Sequence, residues 1–81
     1  MELLDTIELM KSSDFKDRFK AEYHQLKYRV EKLATMLSKY EDGTLEFIPK
    51  CSIEILAAQR GYMEAYLHVL KKRAVIEGIE L

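Results

Sequence analysis

Eighty-one residues with a net charge of −1 make one small domain, too short to enclose a large active site. Hydrophobic residues form 48 % of the chain and charged residues 33 %, the balance of a folded protein and not of a disordered tail. Thirteen basic against fourteen acidic side chains exclude a global field that would draw in nucleic acid or a membrane surface, and no apolar run approaches the ~18–20 residues that cross a bilayer.

Residues 2–10 read as a short helix, with Leu3, Leu4, Ile7 and Met10 on one face. The opening Met1-Glu2-Leu3-Leu4-Asp5 is acidic and mixed, unlike the basic start and apolar centre of a secretory signal. Ser12-Ser13-Asp14 can cap free backbone N–H groups, so a helix should begin there. Within a long helix over residues 14–40, Phe19, Tyr23, Leu26, Val30, Leu33, Leu37 and Tyr40 are spaced 4, 3, 4, 3, 4 and 3 residues apart. That is a heptad seam, which keeps one apolar stripe against a partner helix. Gly43 offers the left-handed stop.

The connection 41–51 holds Leu45, Phe47, Ile48 and Pro49, and its apolar side chains are expected to pack back on the helices. Ser52 is the expected cap of a last helix over residues 52–77, with Glu54 in its first turn. Its seam is Ile53, Leu56, Arg60, Met63, Leu67, Leu70 and Ala74. A second stripe runs through Ile55, Tyr62, Tyr66, Val69, Arg73 and Ile76. Gly78 is a natural stop, and Ile79 can fold back over it. The fold class expected is therefore all-α: a short N-terminal helix plus a long antiparallel helical hairpin. A hairpin buries one stripe per helix, so the second stripe should be a subunit interface of a homo-oligomer, assisted by the N-terminal helix.

Catalysis needs a nucleophile, a base and an orienting group that converge. Cys51 precedes a helix N-terminus, but His68 lies about 15 helical residues further on, and His24 is on the other long helix. One cysteine makes no internal disulfide, and no Cys/His cluster has metal-ligand spacing. Glu64 and His68 form half of a carboxylate–histidine pair whose second half is missing, because Lys20 stands four residues before His24. Neither an enzyme, a metal nor a cofactor is expected, and the compartment expected is a reducing cytosol.

The long helix carries seven basic residues from Lys16 to Lys39, and the last helix carries Lys71-Lys72-Arg73. Such groups either form a solvated face with i,i+4 pairs such as Lys27–Glu31, or recognise an anion. Duplex nucleic acid is not expected as a partner, since its affinity comes from many phosphate contacts. A small nucleotide needs only two or three cations, with tyrosines to stack on a base. Arg60 breaks an apolar seam. Either its stem packs and its head pairs with a carboxylate such as Glu22 or Glu31, or it is held for an anionic ligand.

The stretch "DFKDRFKAEYHQLKYRVEKLATMLSKYEDGTLEFIPKC", followed by "QRGYMEAYLHVLKKRAVIEGIEL", resembles short helical proteins of tailed bacteriophages, including crAss-like phages. The features that carry the resemblance are Lys39-Tyr40-Glu41 through Gly43-Thr44-Leu45, then Met63, Tyr66-Leu67, Arg73-Ala74 and Ile76-Glu77-Gly78. It implies a phage origin and the cytoplasm of an infected host. In architecture the hairpin is similar to phage anti-CBASS and anti-Thoeris sponge proteins, which sequester nucleotide immune signals without cleaving them. No binding residue is carried over from them.

The reading that results is a non-enzymatic sponge for a cyclic nucleotide or ADP-ribose-derived immune signal, countering anti-phage defence. Its candidate ligand-binding residues are Arg60, Tyr62, Tyr66, Arg73, Lys32 and Tyr28. The alternative is a helical protein-interaction module that inhibits or scaffolds a host or phage protein.

Overall fold

The computed structural model describes residues 1–81 as a 3-10 turn, Leu3–Thr6, followed by helices α1 (Ile7–Lys11), α2 (Phe15–Asp42) and α3 (Ile53–Glu77), with no strand. The expected short helix is therefore split. Glu2 and Asp5 cap its first turn reciprocally, the Glu2 N–H donating to the Asp5 carboxylate at 2.9 Å.

The caps fall where the side-chain chemistry put them. The Asp14 carboxylate accepts from the Lys16 N–H at 2.9 Å, and the Ser52 hydroxyl accepts from the Ile55 N–H at 3.2 Å. Helix α2 runs two residues past its expected end, because Gly43 (φ +76°) is the first position at which the chain turns left-handed cheaply. Gly78 (φ +70°) ends α3, and the Ile79 N–H reaches back to the Ala74 carbonyl at 2.8 Å. That turn folds Ile79 into the core.

Helices α2 and α3 are antiparallel: Lys16, at the start of α2, donates to the carbonyl of Gly78, just past the end of α3. The core joins Phe19, Tyr23, Leu26 and Val30 of α2 to Leu70 and Ala74 of α3 and to Ile79, with Met63 and Leu67 at its margin. These are the expected seams. Only the half of the hairpin away from the connecting loop is fully buried, however. Leu33, Leu37, Ile53 and Leu56 are half-buried, and Tyr40 is exposed.

The loop departs from expectation. Ile48 is 92 % exposed and Phe47 57 % exposed, so these side chains do not pack back on the helices. Two helices side by side give a loop at their tip nothing to lie on. Only Leu45 and Pro49 are half-buried, around a shallow hollow shared with Tyr40 and Gly43.

The N-terminal segment docks on α2. Thr6 is completely buried; its hydroxyl donates to the Leu3 carbonyl at 2.7 Å and accepts from the Gln25 amide at 2.9 Å. The same Gln25 nitrogen lies 2.9 Å from the Met10 sulfur. One glutamine thus holds both parts of the segment.

The result is a rod of 43 × 24 × 17 Å with a radius of gyration of 15.0 Å, against about 12 Å for a compact domain of this length. Its accessible surface is 6039 Å², where a monomer of this mass typically exposes roughly 5,000 Å². The surplus is the geometric cost of a two-helix fold.

His24 sits edge-on to Tyr23, with ring centroids 5.1 Å apart. Burial, then Lys27, the N-terminal amine and Lys20, push its imidazole below the ordinary value of 6.5. A lowered folded value means that the unfolded chain binds the proton more readily, so stability is intact above pH 6.5 and falls as the pH drops below it. Urea unfolding followed between about pH 7.5 and 5 should show that loss, and His24→Gln should flatten it. An unchanged slope in the variant would remove His24 as its source.

Candidate ligand-binding site

The six residues singled out in the sequence fall into separate groups. Arg60 is half-buried, and its Nε donates to Glu64, one turn on, at 2.9 Å. Its carboxylate partner is thus neither Glu22 nor Glu31. Arg60 borders an open cleft of ≈ 610 Å³ with Ala34, Thr35, Leu37, Ser38, Lys39 and Glu41. None of the tyrosines lines that cleft.

Arg73 belongs to a second group, at the well-packed end. Its Nε donates to Glu77 at 2.8 Å, and its guanidinium lies 4.9 Å from the centre of the Phe19 ring. The hydrogen bond to Glu77 raises its pKa first, partial burial opposes, and the charges of Glu77 and Glu22 add to the rise. The Tyr66 hydroxyl donates to that same Glu22 across the hairpin. Tyr66 and Arg73 therefore share one acidic neighbour on α2. Tyr62, one turn before Tyr66, is 78 % exposed.

Tyr28 and Lys32 form the third group. They are one turn apart on α2, and the Lys32 ammonium stands 5.3 Å from the centre of the Tyr28 ring. Both border a cleft of ≈ 320 Å³ with Leu3 of the N-terminal segment, Arg29 and Leu33 of α2, and Gln59 and Met63 of α3. Sequence reasoning missed Arg29, although a signal was present. Arg60 and Arg73 each have a glutamate four residues on, whereas Arg29 and Lys32 have no carboxylate three or four residues away in either direction. The structure gives neither of them an ion-pair partner.

Along the expected second stripe of α3, Ile55, Tyr62, Tyr66, Val69 and Ile76 are exposed, whereas Arg73 is half-buried over the Phe19 ring. No three His, Cys, Asp or Glu side chains are grouped to hold a metal ion, and Cys51 is a free, exposed thiol in the loop.

Over residues 13–76 the sequence matches the Sequestin family model. The chain belongs to the Sequestin family. No curated protein and no solved structure matches it significantly. The Sequestin segment takes in both long helices and the loop but stops short of the docked N-terminal segment, so Leu3 and Thr6 lie outside it.

The bond from Tyr66 to Glu22 ties the stripe to α2. Tyr66→Phe should cost about 0.5–1.5 kcal/mol in chemical unfolding. Combined with Glu22→Gln it should cost less than the two changes added together. Strict additivity would show that the two side chains do not interact in solution.

Proposed function

We propose that the protein is a non-enzymatic, phage-encoded sponge that sequesters a small phosphorylated nucleotide in the host cytoplasm and thereby counters anti-phage defence. The observation that carries this reading is membership of the Sequestin family, whose name speaks of sequestration. The surface supports it. Tyr62 and Tyr66 offer stacking faces, Arg73 follows two turns after Tyr66 on the same helix, and Tyr28 carries Lys32 over its ring. Arg60 and Arg73 are held by surface pairs on their own helices, which water screens strongly, so a phosphate can take the place of either glutamate. Stoichiometric capture asks for no nucleophile.

Assembly of copies through the stripe belongs to the same reading. The surface in excess of a compact monomer is about 1,000 Å², close to the ~800 Å² that each partner gives to a standard interface. Ala57, Gly61 and Ala65 recur every four residues along α3, and a methyl group at Gly61 would meet nothing within 4 Å. A glycine inside a helix costs about 0.5–1 kcal/mol relative to alanine. The protomer gains no packing from that cost, whereas close approach of a second helix or a ligand would use the space. Pairing two α3 helices head to tail brings Arg73 of one copy toward Arg60 of the other.

Ile48 and Phe47, exposed at the hairpin tip, favour a second reading, in which the protein docks on a host or phage protein and inhibits or scaffolds it.

Light scattering at micromolar concentration should show an oligomer, and Val69→Glu should dissociate it by placing a charge in the seam. A monomeric wild type would refute the assembly. Calorimetric titration with cyclic dinucleotides and cyclic ADP-ribose isomers tests capture directly. Heat with one of them and no turnover of it supports the sponge. No heat with any would leave the protein-interaction reading in its place.

A further inference from the structure

We infer that one nucleotide unit of the sequestered signal binds within a single protomer, in the cleft between the N-terminal segment, α2 and α3, with Arg29 and Lys32 on its phosphate. This rests on the sequestration reading and locates the site that the reading requires. The cleft's lining is what a phosphorylated nucleoside asks for. Arg29 and Lys32 are cations without an ion-pair partner, three residues apart on one helix, so an incoming phosphate has no carboxylate to displace from them. Arg60 and Arg73 must each give up a glutamate first. Tyr28, Leu3, Leu33 and Met63 supply an aromatic and apolar wall for the base, and Gln59 supplies an amide that can both donate and accept.

At ≈ 320 Å³ the cleft is at the small end of ligand pockets, roughly 300–1,000 Å³. That suits one nucleotide unit and not a whole cyclic dinucleotide. The remainder of a larger signal has a route outward. Gln59 lies three and seven residues before Tyr62 and Tyr66 on α3, so the cleft opens on the side of that helix that carries the exposed tyrosines.

Leu3 brings the N-terminal segment into the wall. It lies outside residues 13–76, over which the chain matches its family. It is held in place by the Thr6 hydroxyl on its carbonyl and by Gln25 on that hydroxyl. The ligand's base therefore meets a side chain that the two long helices do not supply.

The chain has no tryptophan, so Leu3→Trp installs a single fluorophore in the cleft and Tyr62→Trp installs one on the exposed stripe. Each is titrated with cyclic ADP-ribose and with 3′,3′-cyclic GMP–AMP, and inorganic phosphate is the control. In parallel, calorimetry compares wild type with Arg29→Gln and Lys32→Gln, whose exposed positions keep the fold intact. The expected result is a nucleotide-dependent change in the fluorescence of the Leu3→Trp variant and at least about tenfold weaker binding in both glutamine variants. Binding by wild type that is unchanged in both glutamine variants and silent in the cleft fluorophore would overturn the cleft while leaving sequestration standing. Phosphate binding as tightly as the nucleotides would overturn the base-binding wall. A wild type that binds neither nucleotide would overturn the cleft, and calorimetry over the wider nucleotide set then decides the sequestration reading separately.

Discussion

Two helices packed side by side can bury only one stripe each, and that constraint governs the molecule. The buried stripes meet at Phe19, Tyr23, Leu26 and Val30 against Leu70 and Ala74, closed by Ile79. Everything else apolar along the second stripe of α3 is left facing water: Ile55, Tyr62, Tyr66, Val69 and Ile76. A larger bundle would cover that stripe with a third long helix. Here the extra element is short and sits on α2 instead, secured by a buried threonine and one glutamine. The stripe thus stays available to a ligand or to another copy, and the rod-like shape is the outward sign of the same arrangement.

The charges obey a second, local constraint. A cation in a helix is neutralised most easily by a carboxylate one turn away, because the two side chains then lie on one face. Arg60 and Arg73 meet that condition through Glu64 and Glu77. Arg29 and Lys32 do not, and they are the pair that borders the cleft with Tyr28. The net charge of −1 hides this difference. What an anion senses is not the total but the few cations that have no partner and stand beside an apolar wall.

The helices are legible in the sequence because their signals are local and redundant. Asp14 and Ser52 cap as carboxylates and hydroxyls do, Gly43 and Gly78 stop helices at positive φ, and both seams repeat turn after turn. The exposed stripe is legible for the same reason. The loop is not, because apolar content alone does not make a segment pack, and Ile48 has no surface to pack on. The partner of Arg60 lies one turn along its own helix and not across the hairpin, and the i,i+4 rule already pointed to Glu64. The docking of the N-terminal segment is hidden: it depends on a contact between Thr6 and Gln25, nineteen residues apart, with no periodicity to announce it. The cleft beside Tyr28 is hidden in the same way, since it needs three elements brought together.

The segment held by that contact also lies outside the family match. Residues 13–76 contain both long helices, the stripe, Arg29 and Lys32 almost in full. That segment therefore carries this chain's cations and tyrosines on one helical hairpin. The first twelve residues add one wall, held to α2 by the Thr6–Gln25 contact and, at Ser12, by hydrogen bonds with Asp17 and Arg18. A short, hydrogen-bonded strap can be exchanged without disturbing the helical core. That core closes on Phe19, Tyr23, Leu26, Val30, Leu70, Ala74 and Ile79, none of which the N-terminal segment supplies.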